Sequence, residues 1–158
     1  MNRMIQAQTL ADRIQQICKS QGRFRTLWLV GLPKSGKTTL CREICLQMGW
    51  HYVNFTLDPG YLDSLLNKEK IYRPEDFLYS LRSWCLTCPS DILVLDEIEP
   101  MLGLWTSTVK KDFFITVSKA TRLEKGIVIV TRLYPPQEVA KWVPDNEHIF
   151  EVIPGGAL

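Results

Sequence analysis

Residues 31–38, Gly31-Leu32-Pro33-Lys34-Ser35-Gly36-Lys37-Thr38, satisfy the pattern G-x-x-x-x-G-K-[ST] in full. Each type has a reason to be there. Gly31 and Gly36 let the backbone curl until successive N–H groups point inward at phosphate oxygens. A helix starting near Lys37 adds its positive end to that nest. Lys37 would neutralise charge on β- and γ-phosphates, and Thr38 would offer a hydroxyl to Mg²⁺. The candidate phosphate-binding set is therefore Gly31, Pro33, Lys34, Ser35, Gly36, Lys37, Thr38 and the adjoining Thr39. Downstream, Asp91-Ile92-Leu93-Val94-Leu95-Asp96-Glu97 has four apolar residues delivering an acidic pair to a strand end. Asp96 would hold Mg²⁺ through water, and Glu97 would polarise an attacking water. The implied ligands are ATP and Mg²⁺. GTP is disfavoured, because the Asn67-Lys68 pair precedes Asp96 and continues Glu69-Lys70, unlike a guanine-reading Asn-Lys-x-Asp.

Such groups act only if a sheet brings them to one edge. The runs 26–30, 92–95 and 127–130 are short and apolar throughout, as in strands buried on both faces. Two further strands are expected over 50–55 and 148–153. Between them lie helical patterns at 4–19 (Leu10, Ile14 and Ile17 inward), 38–48 (Leu40, Ile44 and Met48) and 108–120 (Phe113, Phe114 and Val117). Pro74 opens a helix carrying Phe77, Leu78, Leu81, Trp84 and Cys85, with Glu75 and Asp76 at its positive end. Shorter helical segments are expected at 61–67 and from Pro135-Pro136 to Trp142. Strands alternating with helices predict an α/β, three-layer P-loop NTPase fold. Its five-stranded sheet is mainly parallel, with helices on both faces. In such sheets ligands bind at the carboxyl edge of the strands, where both motifs fall.

The glutamate directly after Asp96 points to P-loop ATPases that insert a strand between the two motifs. Strand 127–130 ends in Thr131, which is either an ordinary strand-end hydroxyl or a polar sensor of the γ-phosphate. Arg122 and Arg132 are candidates for a cationic finger acting on a neighbouring subunit, since strand geometry is expected to carry neither to its own nucleotide.

The 158 residues suit one domain, with an N-terminal helix and basic connector over 1–25 and a nucleotide-binding core over 26–153. Pro154-Gly155-Gly156 follows, so no C-terminal lid is expected. A lidless site leaves the nucleotide partly exposed unless a partner or a second copy of the chain covers it. The composition, 46% apolar and 23% charged, is that of a globular protein. No run nears the roughly 20 apolar residues of a membrane span, and the start lacks a signal-peptide pattern. Five cysteines, an odd number without a secretory signal, indicate a reducing cytoplasm. Cys41/Cys45 and Cys85/Cys88 read as buried thiols rather than a zinc site, the first pair lying mid-helix.

The net charge of +2 hides an imbalance: eight Lys and Arg against two acids in residues 1–50, eleven against fifteen afterwards. Arg3, Arg13, Lys19, Arg23 and Arg25 form either a solvated basic face or a DNA contact.

From residue 27 onward the chain resembles the BrxF family, small P-loop proteins of BREX bacteriophage-exclusion systems. The resemblance rests on the phosphate loop, Tyr52-Val53-Asn54, the leucine-rich 61–66, Arg73-Pro74, Asp96-Glu97-Ile98-Glu99, Ser118 and the 127–131 strand. It implies a cytoplasmic ATP-binding subunit of an antiphage defence operon, working beside a DNA methyltransferase and larger ATPases. A small-molecule kinase using the same loop is the other enzyme class. It is weakened by the presence of only Arg122 and Arg132 after residue 83 to furnish a phosphate-covering lid. A nucleotide-independent scaffold would not need Lys37, Thr38 and Asp96 together.

Overall fold

The computed structural model describes residues 3–19 and 22–154. Gly155-Gly156 of the expected chain end lies outside the described residues, as does Gln21 of the basic connector. Helix α1 spans Arg3–Cys18, strand β1 Thr26–Val30 and α2 Lys37–Met48. Then follow β2 (His51–Asn54), α3 (Pro74–Thr87), β3 (Ile92–Asp96), α4 (Glu99–Leu102) and α5 (Ser107–Ser118). The order closes with β4 (Gly126–Thr131), α6 (Pro136–Val139) and β5 (Ile149–Glu151).

The strands form one sheet in the order β2-β3-β4-β1-β5, and every neighbouring pair is parallel. Side chains alternate between its faces. Leu27, Leu29, Val94, Val128 and Val130 pack with α1 and α2, through Leu10, Ile14, Leu40 and Ile44. Trp28, Val30, Leu95 and Ile129 face α3 and α5, through Phe77, Leu81, Phe113 and Phe114. Trp28 lies tilted against Phe114, ring centroids 4.5 Å apart, and meets Phe113 edge-on at 5.7 Å. Its indole N–H donates to Ser118 Oγ at 2.6 Å, so this large ring is buried without an orphaned donor.

Gly126 is required by close approach: a Cβ there would stand 2.3 Å from Cys18 Cβ, so α1 lies on the start of β4. All five cysteines are buried thiols. Cys41 and Cys45 belong to the α1–α2 side of the sheet and Cys85 and Cys88 to the other. The sheet therefore separates the two pairs.

Several elements differ from expectation. Met48 is 39% exposed; Cys41 and Cys45 take the inward positions beside Leu40 and Ile44. The 61–67 segment makes only a 3-10 turn over Leu62–Leu65. The helix begun at Pro136 stops at Val139 rather than Trp142. Strand β5 is three residues long, although Val152 N–H still donates to Val30 O at 2.8 Å. Helix α4, directly after the acidic pair, carries no apolar period long enough to read, being one turn. Among the described residues no helix is long and apolar enough to cross a membrane.

Candidate functional site

The carboxyl ends of β1, β4 and β3 lie side by side, β4 in the middle. Register pairs Val30 with Thr131 and Leu95 with Ile129, so Gly31, Thr131 and Asp96 emerge at one edge. A cleft of about 320 Å³ opens there. The loop contributes Pro33, Lys34, Gly36, Lys37, Thr38 and Thr39 to its walls; the strand ends contribute Asp96, Glu97, Thr131 and Arg132, and α4 contributes Glu99.

The loop turns through two left-handed residues, Lys34 (φ 64°) and Gly36 (φ 95°), before α2 starts. Gly36 is the N-cap and supplies no side-chain acceptor, so the first amides of α2 face the loop uncapped by a side chain. Lys37 is buried and donates to Gly31 O and Leu32 O, both at 2.8 Å, and to Ser35 Oγ at 3.3 Å. Burial lowers the pKa of its ammonium, and the charges of Glu99 and Asp96 oppose that shift.

Asp96, 4% exposed, is held from three sides. Thr38 Oγ1 donates to Oδ2 at 2.7 Å, Tyr52 Oη donates to the same oxygen at 2.6 Å, and Glu97 N–H donates to Oδ1 at 2.8 Å. Burial, with the adjoining carboxylate, pushes the Tyr52 phenol far above its ordinary range. Burial likewise raises Cys41, with Asp96 adding to the shift. A hydroxyl and a carboxylate in contact are hard oxygen donors suited to Mg²⁺. That ion takes one or two protein carboxylates and completes its shell with waters and phosphate oxygens.

Glu97 has φ 62°, a left-handed conformation that costs on the order of 1–3 kcal/mol in a non-glycine residue. The turn presents Glu97 to the cleft while the next residue, Ile98, enters the core. Thr56 Oγ1 secures it, donating to Glu97 O at 2.6 Å. Thr131 Oγ1 donates to Glu99 Oε2 at 2.9 Å, and Arg132 N–H donates to the same oxygen at 3.1 Å. The Arg132 guanidinium lies 3.9 Å from Glu97 and 3.6 Å from Glu99.

No family model matches the chain, and no curated protein matches it. Among solved structures it is similar to the Walker-type ATPase paby2304 of Pyrococcus abyssi. The TM-score is 0.54 at 13% identity, over 96% of this chain and 53% of that one. PCH-2 of C. elegans is similar with a TM-score of 0.53, also at 13% identity, over 92% of this chain and 41% of that one. The fold is that of the P-loop NTPases. The chain spans about half the length of the proteins it matches.

Within this P-loop fold, β4 is the strand inserted between the loop-bearing β1 and the acidic β3, as the position of Glu97 led us to expect. Of the candidate binding residues, Gly31 and Ser35 are not in the cleft wall. Ser35 is 4% exposed and accepts from Lys37, while Gly31 packs against Ser35 and Val152 beneath the loop. Arg132 corrects the expectation that it falls outside its own chain's site: β4 is next to β1, so the residue after Thr131 lines the same cleft as Lys37. Arg122 does fall outside that site, as expected. It precedes β4, at the amino edge of the sheet, far from the loop.

Tyr52 and Glu99 are the residues that motif reasoning passed over. The signals for Glu99 were its place two residues after Glu97 and its share in the motif that carries the resemblance, neither of which assigned it a role. Tyr52 entered only as part of the resemblance and with no role at the site, because that role depends on β2 pairing with β3. Tyr52→Phe removes a donor to a buried carboxylate and is expected to destabilise the chain by about 1.5 kcal/mol. Urea unfolding checks this, and an unchanged midpoint would show that the hydroxyl adds nothing.

Proposed function

We propose that the chain is a nucleotide-binding domain that takes ATP with Mg²⁺ and hydrolyses it, slowly when alone. The observation that carries this reading is the convergence of Lys37, Thr38, Asp96 and Glu97 on one cleft at the carboxyl edge of a parallel sheet. The loop amides and Lys37 bind the β- and γ-phosphates. Thr38, by its hydroxyl, and Asp96, through water, would hold Mg²⁺, which would supply charge neutralisation at the phosphates. Glu97 accepts a proton from water as the water oxygen bonds to the γ-phosphorus. The bond to the bridging oxygen breaks in the same displacement, and ADP leaves with its electron pair. Thr131 and Arg132 line the same cleft, where Arg132 would offer a cation to the developing charge.

Glu97 and Arg132 have side chains 37% and 45% exposed, so water screens both and slow turnover follows. A second copy of the chain or a larger partner covering this edge would exclude that water. The resemblance to BrxF supports a place in an antiphage defence complex in the cytoplasm, where nucleotide state governs engagement of other subunits or of DNA. Phosphate release across a dilution series tests the reading. Turnover per chain should rise with concentration or on adding the partner, and constant appreciable turnover from a monomer would defeat the dependence on assembly. Arg132→Ala should lower turnover about tenfold at every dilution, as expected for loss of one charged contact within the chain's own cleft. A defect confined to the concentrated end would instead assign Arg132 to a neighbour's site.

A further inference from the structure

A second cleft, of about 470 Å³, opens at the amino ends of β1 and β4, the edge of the sheet opposite the phosphate loop. Lys19, Arg23, Arg25 and Arg122 line it, with Thr121 and Leu123. The cations come from two stretches far apart in sequence. One is the connector between α1 and β1, and the other is the turn between α5 and β4.

The framework is held firmly. Arg25 Nε donates to Cys18 O at 2.8 Å, and its Nη1 donates to Leu123 O at 3.0 Å, tying the connector to the turn. Arg82, from α3, donates to Thr121 O at 3.0 Å and to Arg122 O at 3.4 Å. The turn is thus fixed with Arg122 in a left-handed conformation, φ 58°, and its side chain exposed. Arg23 is exposed as well, its guanidinium 5.3 Å above the Phe24 ring. Among the described residues Lys19 pairs with Asp91, at 3.8 Å, and that carboxylate is 73% exposed. Exposed pairs of this kind are screened and leave the cationic field largely intact.

We propose that this cleft binds the phosphodiester backbone of nucleic acid. Four cations around a single apolar wall residue, Leu123, lack the apolar centre of a protein-docking site. Three are arginines, whose planar forks match phosphate oxygens in pairs. The tertiary structure also sorts the basic N-terminal segment. Arg13 turns away, donating to the carbonyls of Glu147 and Ile149 beside the Phe150 ring. The side chain of Arg3 lies outside the described residues. Among the described side chains of that segment Lys19, Arg23 and Arg25 line the cleft, and Arg122 joins them. Because the strands separate this cleft from the phosphate loop, a nucleic acid here does not compete with ATP, and the inference stands apart from the nucleotide reading.

Fluorescence anisotropy with a labelled DNA duplex of about 20 base pairs at low salt tests it. Arg23→Gln with Arg122→Gly removes two exposed cations, and glycine accepts the left-handed backbone at position 122. The pair should weaken duplex binding at least about tenfold and reduce the slope of log affinity against log salt by about 2. The unfolding midpoint and ATP affinity should not change. Wild-type affinity in the double variant, or no duplex binding by the wild type, overturns the proposal. Displacement of the duplex by tripolyphosphate at equal phosphate concentration overturns it in favour of a small-anion site. Polyglutamate binding as tightly as the duplex overturns it in favour of an acidic protein. Measured without nucleotide, duplex binding by Lys37→Ala should stay intact even though that variant loses ATP binding, so the two readings fail separately.

Discussion

Lys37→Ala is expected to lower affinity for ATP with Mg²⁺ by about 10²-fold, near 3 kcal/mol, the upper range for hydrogen bonds to charged groups. The ammonium is the loop's buried cation, while Lys34 of the same loop is exposed. The three contacts of Lys37 are to Gly31, Leu32 and Ser35 of that loop. Glu99 and Asp96 surround it with negative charge that favours the protonated form against the effect of burial. Without it, phosphate oxygens would enter a cleft whose remaining charges include Asp96, Glu97 and Glu99, with Arg132 and Lys34 as the lining cations. Repulsion then adds to the lost hydrogen bonds. Calorimetric titration of the variant beside the parent measures the loss, with a thermal melt confirming the fold. Equal affinities would refute a phosphate-binding role for the loop.

Glu97→Gln is expected to keep nucleotide affinity within a few-fold and to reduce hydrolysis by about 10²–10⁴, the contribution of a positioned general base. The substitution preserves shape, and the left-handed turn is held through the backbone, where Thr56 Oγ1 bonds to the Glu97 carbonyl. What disappears is the carboxylate's capacity to take a proton and its ion pair with Arg132 at 3.9 Å. Single-turnover phosphate release with saturating ATP separates this step from binding. Unchanged release in the variant would make Glu97 a structural residue of the strand end.

Much of the architecture was legible because its causes are local. A phosphate loop needs glycines, a lysine and a hydroxyl at set intervals, and Gly31 to Thr38 supply them within one turn of chain. Strands buried on both faces need uninterrupted apolar runs, so β1, β3 and β4 stood out and their ends located Asp96 and Thr131. One-turn elements such as α4 and α6 lack a full apolar period, and their limits were decided by local carbonyl acceptors instead.

Strand order is different in kind, because it is set by pairing between residues distant in sequence. Only the placement of β4 between β1 and β3 brings Arg132 to the cleft of Lys37 and sets Thr131 against Glu99. The same parallel sheet sends Arg122, ten residues earlier, to the opposite edge and into the company of Arg25. Tyr52 reaches Asp96 only because β2 pairs with β3 in the register Asn54 to Asp96. The residue pattern by itself determined which chemical groups the chain owns and which strand ends carry them. The tertiary structure decided which of those groups share a cleft, since neighbours across a sheet are chosen by long-range burial and not by spacing along the chain.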